Sequence, residues 1–135
     1  MSNLNLLISY ILTTLLFFLI DLVWLGLIAK KLYARYLGEL LRDDVNWVAA
    51  IVFYLLFIVA IFVFVILPAH AADSMVKALV LGAFLGGICY ATYDLTNLAT
   101  LKGWPLPIVF IDITWGMFLT AVVSGGGFLI VKWLN

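Results

Sequence analysis

Long apolar runs alternate with short polar segments along the whole chain. Four stretches contain few charged residues, at about 4–28, 47–67, 75–100 and 107–131. A helix needs roughly 20 apolar residues to cross the hydrocarbon core of a bilayer, and each stretch reaches that length. Backbone groups in lipid must be paired within their own segment. The pattern therefore predicts four membrane-spanning helices.

The polar connections between these runs predict how the helices are arranged. Segments 68–74 (PAHAADS) and 99–106 (ATLKGWPL) are short, so helices 2 and 3, and helices 3 and 4, should be antiparallel neighbours. The first connection, 30–46, is longer and carries apolar residues at helical spacing: Leu32, Tyr33, Tyr36, Leu37, Leu40 and Leu41. This spacing favours a short amphipathic helix in the membrane interface, with a solvated loop as the alternative.

These elements together predict an all-α fold. It is a polytopic bundle of four transmembrane helices, with a short amphipathic interfacial helix between helices 1 and 2, and it forms one integral membrane domain over residues 1–135. The composition agrees, since 67% of residues are hydrophobic and only 10% are charged, with a mean hydropathy of +1.28. Soluble domains carry about 25% charged residues. A net charge of zero offers no basic surface for nucleic acid.

Two smaller features follow from the same apolar character. The N-terminal run lacks the preceding basic residues and the cleavage motif of a secretory signal, so we expect it to be retained as the first span. The single cysteine, Cys89, lies in an apolar run and is expected to be a small buried core residue.

The distribution of basic residues predicts the orientation in the membrane. One side of the predicted bundle carries five of the seven basic residues, namely Lys30, Lys31, Arg35, Arg42 and Lys102. The other side carries Lys77 and Lys132. The positive-inside rule makes the first side cytoplasmic, so loop 30–46 is cytoplasmic and both termini are outside. Trp47 and Trp104 then fit the cytoplasmic aromatic belt, and Trp133 fits the outer one.

Three aspartates, Asp21, Asp94 and Asp112, lie well inside the predicted spans, and the only basic residue within those bounds, Lys77, lies at the opposite end of its helix from Asp94. Each lies within about ten residues of Lys30 or Lys102, which places all three roughly 8 to 14 Å from the same side of the bundle. A charge at the bilayer centre costs on the order of 2.5 to 3.5 kcal/mol. Without an internal cation, these carboxyls must be protonated, hydrated, bonded to neutral donors or bound to a cation from outside.

Helical spacing surrounds each aspartate with polar or aromatic neighbours. An indole or amide follows three residues after each, in the pairs Asp21–Trp24, Asp94–Asn97 and Asp112–Trp115. Tyr90 shares a face with Asp94. The sequence therefore predicts a site for a ligand or ion with carboxylates, an amide, a phenol and two indole walls, formed by helices 1, 3 and 4. Helix 2 has only Tyr54 as a polar group and is expected to be structural or lipid-facing.

A structural role for the aspartates is the alternative. Asp112 lies near the start of helix 4, where the helix dipole favours a carboxylate. Two or three aspartates could also join the helices through hydrogen bonds. Tryptophan and tyrosine can equally serve as anchors at the membrane interface.

Small residues recur at four-residue spacing on helix 3, at Ala78, Gly82 and Gly86, and a Gly125–Gly126–Gly127 triplet lies on helix 4. Such spacing permits close helix contact, and we expect that contact within the subunit rather than in a dimer.

The run YDLTNLATLKGWPL at 93–106, together with IDLVWLG and IDITWG, resembles a bacterial family of small four-helix membrane proteins catalogued as a domain of unknown function. The resemblance covers the whole chain. It implies a location in the bacterial inner membrane and brings no activity, substrate, cofactor or catalytic residue with it.

Three functions remain open from the sequence. The first is binding or transport of a cation or small cationic molecule, since unpaired carboxylates beside aromatic rings suit a cation. Transport by a four-helix subunit leads us to expect a homodimer. The second is an enzyme acting on a lipid or isoprenoid-like substrate, with carboxylates as acid and base or as ligands of a divalent metal. The third is an accessory or structural membrane subunit. No pattern indicates a heme or flavin.

Overall fold

The computed structural model describes residues 1–135 and is helical, with no β-strand. Four helices are long and apolar enough to span a membrane: α1 (Asn3–Leu40), α2 (Trp47–Ala71), α3 (Met75–Thr100) and α4 (Leu106–Leu134). This confirms the predicted all-α fold with four spanning helices.

Local side-chain caps explain where the helices begin. The side chains of Ser2, Asn46 and Ser74 accept hydrogen bonds from backbone N–H groups in the first turns of α1, α2 and α3. These bonds satisfy donors that have no partner within the helix. Helix α4 begins instead after Pro105 with a second proline in its first turn, where a missing N–H costs nothing.

The first helix is longer than predicted. It continues through Lys30 and Lys31, beyond the predicted end of the span at about residue 28, because the residues that follow are compatible with a helix. A π-helical segment at Trp24–Ala29 joins the α-helical parts Asn3–Val23 and Lys30–Leu37. The amphipathic segment is therefore a continuation of α1. Its residues Leu32, Tyr33, Tyr36 and Leu37 pack against the start of α4.

The second helix also extends beyond its predicted end at residue 67. A π-helical segment at Phe62–Ile66 precedes Pro68, and the helix continues to Ala71. Such a π-bulge accommodates a local change in the hydrogen bonding of a helix without ending the helix. The turn at residues 72–74 then leads directly into α3, with Asp73 in the left-handed region at φ 44°.

Helix α4 lies at the centre of the bundle and contacts all three other helices. Its Gly125, Gly126 and Gly127 face Leu79 of α3, Leu16 of α1 and Ile66 of α2, respectively. A Cβ on any of the three would overlap a neighbouring side chain. These glycines therefore allow three helices to approach α4 within a single turn.

The small residues of α3 pack inside the subunit, as expected. A Cβ at Gly82 would lie 2.6 Å from Ser124 Oγ and 2.8 Å from the Thr120 carbonyl oxygen of α4. Gly86 faces the Gly116 carbonyl oxygen in the same way. Helices α3 and α4 form the most extensive helix pair in the molecule.

Three tryptophans were expected at the membrane surfaces. Trp47 and Trp133 are exposed near opposite ends of the bundle, which fits that role. Trp104 is 8% exposed and packs with Leu37 and Ile108, so its prediction as an interface anchor was wrong. The reason is the extension of α1, which covers the start of α4 and the turn before it.

Candidate functional site

The three intramembrane aspartates are buried and come from three helices. Asp21 of α1 is 5% exposed, Asp94 of α3 is 0% exposed and Asp112 of α4 is 8% exposed. Asp112 is a direct neighbour of Asp94 and within electrostatic range of Asp21. The alternating helix directions and the position of each aspartate bring the three carboxyls together.

Two tyrosine hydroxyls donate hydrogen bonds to these carboxyls from other helices. Tyr54 of α2 donates to Asp21 Oδ2 over 3.1 Å. Tyr33, in the extended part of α1, donates to Asp112 Oδ1. The expectation that α2 is only structural or lipid-facing was therefore wrong, because its one polar side chain reaches Asp21.

A cavity of about 470 Å³ lies between all four helices at this level. Asp21 and Asp112 provide its carboxylates, and half of its lining residues are aromatic. The lining residues are Asp21, Trp24, Leu25, Tyr33, Leu37, Leu41, Phe53, Tyr54, Cys89, Tyr90, Tyr93, Ile108, Asp112 and Trp115. The cavity thus places two acidic groups among electron-rich ring faces, which is the arrangement that attracts cations.

Trp24 and Trp115 stack face to face on one side of this cavity. Their ring centroids are 4.3 Å apart and their planes differ by 9°. A shallow groove of about 490 Å³ lies against the same two rings, with Phe110, Thr114 and Phe118 in its wall. The indole pair predicted to form walls of the site therefore separates the cavity from this outer groove.

Asp94 and Asn97 occupy different surroundings from the rest of the predicted site. Asp94 lies behind Asp112 rather than in the cavity wall, and neither of its carboxyl oxygens has a hydrogen-bond partner. Trp104 is a close neighbour of Asp94. Asn97 is half-buried one turn further along α3 and does not line the cavity. Of the predicted α3 residues, only Tyr90 does.

The cavity contains no basic side chain. The two ion pairs of the chain are both exposed: Arg42–Asp44 at 3.2 Å and Lys132–Asp73 at 2.6 Å. The hydrogen bond and charge of Lys132 lower the pKa of Asp73. No three acidic, histidine or cysteine side chains converge as a metal-binding cluster, so the three aspartates do not form one.

Several residues of the cavity were not among the site residues predicted from the sequence. Tyr33 and Tyr54 are the most important, because their hydroxyls contact the aspartates directly. Tyr93 and Cys89 also line the wall, and Cys89 is half-buried rather than a core residue. A tyrosine in an apolar run was the available signal. A buried phenol requires a polar partner, and the aspartates were the nearest polar side chains whose depth in the membrane follows from the sequence.

Comparisons with known proteins address the chain as a whole. No curated protein and no solved structure gives a significant match. A family model described as "Predicted membrane protein (DUF2177)" matches residues 6–129, which is nearly the full length. The function of this family is unknown. The chain therefore belongs to the DUF2177 family of predicted membrane proteins.

Proposed function

We propose that this protein binds a small organic cation of the ammonium type in the cavity between its four helices. The observation that carries this proposal is the pair of carboxylates, Asp21 and Asp112, in an aromatic cavity without any basic side chain. A buried carboxylate needs a compensating positive charge or donor. The phenol hydroxyls supply one donor to each, and an entering ammonium ion supplies the charge.

The aromatic walls favour an organic cation over a bare metal ion. Trp24, Trp115, Tyr54 and Tyr90 present rings to the cavity, and a cation over such a ring is stabilised by about 0.5 to 2 kcal/mol. Divalent metals prefer several converging oxygen ligands, which the three aspartates do not provide. An alkylammonium ion, with apolar methyl groups around its charge, suits both the rings and the carboxylates.

The setting of this site follows from the sequence. We place the protein in the bacterial inner membrane, as the family resemblance implies, and loop 30–46 on the cytoplasmic side, because most basic residues lie there. The cavity reaches Leu41, which lies within this loop, so the cavity lies toward the cytoplasmic face. Transport of the bound cation would require two arrangements of the helices, and a homodimer is the expected assembly for it.

A structural function is the second candidate, favoured by a specific observation. Tyr54–Asp21 joins α2 to α1, and Tyr33–Asp112 joins the end of α1 to α4. Hydrogen bonds of this kind can hold membrane helices together. If the aspartates serve only this purpose, an uncharged acceptor of the same shape should replace them.

Binding of labelled tetramethylammonium to the purified protein separates the two functions. Asp21→Asn and Asp112→Asn keep an acceptor for the tyrosine hydroxyl but remove the charge. We expect each variant to fold normally and to bind roughly tenfold more weakly or worse, since a loss of about 1.4 kcal/mol is a factor of ten. Asp43→Asn is the control, because Asp43 is an exposed aspartate outside the cavity.

The result that overturns cation binding is equally clear. The proposal is rejected if the wild-type protein shows no saturable binding of tetramethylammonium. It is also rejected if binding survives both substitutions unchanged. Normal folding of Asp21→Asn and Asp112→Asn, in a protein that binds no cation, would favour the structural function.

A further inference from the structure

The cavity opens toward the lipid between α2 and α3. Its lip is formed by Phe53 of α2, Tyr93 of α3 and Leu41 beyond the end of α1. Their side chains are 51%, 54% and 49% exposed. None of the three carries a charge. The opening is therefore apolar, whereas the carboxylates lie further inside.

The gap results from the way α2 packs. Its contacts with α3 are concentrated in Phe62–Ile66 and Leu67–Ala71, at the end away from the cavity. Nearer the cavity, Phe57 still approaches Tyr90 with ring centroids 6.4 Å apart. Residues from Trp47 to Leu56 are mostly exposed. Phe53 lies about 9 Å along the helix from Trp47, at about 1.5 Å per residue, so the opening lies within the membrane.

The opposite side of the cavity is closed. There the Trp24–Trp115 stack, with ring centroids 4.3 Å apart, separates the cavity from the outer groove between α1 and α4. A ligand moving within the membrane plane thus meets the cavity between α2 and α3, where Phe53 and Tyr93 are exposed. Its charged part would meet Asp21 and Asp112, and its apolar part would stay among the lip residues.

We propose that the ligand is a membrane amphiphile with an ammonium head group, which enters sideways between α2 and α3 and leaves its hydrocarbon chain against Phe53 and Leu41. This inference rests on the proposed function, because it needs the cavity to hold an organic cation. It adds that the cation comes from the lipid phase and that part of the affinity comes from the chain. A free ammonium compound from water has the same head group but makes no contact at the lip.

Competition in nanodiscs of phosphatidylglycerol tests the two sources. Labelled tetramethylammonium reports the head-group site, and unlabelled alkyltrimethylammonium ions from butyl to dodecyl compete with it. The concentration of each competitor is expressed per lipid in the membrane. A compound that only partitions more strongly into the bilayer then gains no apparent affinity. We expect the dodecyl compound to compete roughly tenfold better than the butyl compound, because its chain buries apolar surface against the lip.

Phe53→Ala removes one side of the lip without touching the carboxylates. It should weaken competition by the dodecyl compound roughly threefold to tenfold more than competition by the butyl compound. Phe110→Ala is the matched control, because Phe110 is also an exposed phenylalanine, at 66%, but lies in the groove beyond the tryptophan stack. It should change neither measurement. Leu41→Ala provides a second lip variant, with the same expected result as Phe53→Ala.

The outcomes separate this inference from the proposed function. If tetramethylammonium binds but chain length has no effect, or if Phe53→Ala and Phe110→Ala behave alike, lateral entry is rejected and the cation site stands. Absence of tetramethylammonium binding rejects the cation site and lateral entry with it. A second copy of the chain covering the opening would appear as a change of oligomeric state in Phe53→Ala with unchanged competition, and this result also rejects lateral entry.

Discussion

At the scale of single residues, the three buried carboxyls differ in what surrounds them. Asp21 and Asp112 each accept a hydrogen bond from a tyrosine, whereas Asp94 has no partner for either oxygen. Asp21 and Asp112 therefore line the cavity with one tyrosine donor each, whereas Asp94 lies behind Asp112 without a donor.

The first prediction concerns the donor to Asp21. Tyr54→Phe keeps the ring but removes the hydroxyl, so it should lower the stability of the protein by about 0.6 kcal/mol, the average for such bonds in membrane proteins. Because the same hydroxyl holds the Asp21 carboxyl at the cavity wall, we also expect roughly threefold weaker tetramethylammonium binding, the factor that corresponds to the same energy. Stability is measured by reversible unfolding in mixed micelles, and affinity by equilibrium binding.

Tyr10→Phe is the matched control for this prediction. The Tyr10 hydroxyl donates to the Leu55 carbonyl oxygen over 3.0 Å, so it also joins α1 to α2, but it lies outside the cavity. We expect a similar loss of stability and unchanged affinity. Equal affinities in the two variants would mean that the Tyr54 hydroxyl only holds helices together.

At the scale of the helices, packing and site formation occupy different halves of α3 and α4. Gly82 and Gly86 bring the first half of α3 against Gly116, Thr120 and Ser124 of α4. Further along, α3 carries Tyr90 and Tyr93 to the cavity. The close contact fixes the rotation of α3, and this rotation determines which side chains reach the cavity wall.

The second prediction tests this contact. A Cβ at Gly86 would overlap the Gly116 carbonyl oxygen and the Thr120 side chain, and a backbone atom cannot move aside cheaply. Gly86→Ala should therefore lower the free energy of unfolding by roughly 1 to 3 kcal/mol, despite the better helix propensity of alanine. Gly26→Ala is the control, since nothing lies within 4 Å of its added methyl group. Equal stability of the two variants would contradict the packing described here.

The helices illustrate what the sequence can predict. The four apolar runs are long and continuous, so their number and approximate ends follow directly from the length that a membrane requires. The end of α1 was missed because charged Lys30 and Lys31 mark a membrane boundary in sequence, yet they do not stop a helix. The roles of Tyr33 and Tyr54 were missed for a related reason. Tyr54 lies in an apolar run with no polar stripe to indicate which face points inward, and the amphipathic segment that carries Tyr33 predicts an interfacial helix rather than a contact with Asp112.

At the scale of the whole molecule, the bundle is tight at one end and open at the other. The glycines of α4 lie near its C-terminal end, where α1, α2 and α3 all pack against it. The same end carries the Lys132–Asp73 ion pair and the bond from Asn5 to the Leu134 carbonyl oxygen. At the other end the helices separate around the cavity. Such a division would allow the open end to accept a ligand while the tight end maintains the fold.

The last prediction concerns how this polarised bundle lies in the membrane. Single cysteines are introduced at the exposed positions Asp43, Lys102 and Ala72 in a Cys89→Ser background, and intact bacterial cells are treated with a membrane-impermeant maleimide. Asp43→Cys and Lys102→Cys should be labelled only after permeabilisation, because the basic residues keep their loops in the cytoplasm. Ala72→Cys, in the turn between α2 and α3, should be labelled in intact cells.

The reverse labelling pattern would place the cavity toward the outer face and leave the fold intact. Labelling of Asp43→Cys and Lys102→Cys from opposite sides would contradict four spans. The orientation decides which leaflet supplies an amphiphile to the opening, and the expected result assigns that role to the cytoplasmic leaflet.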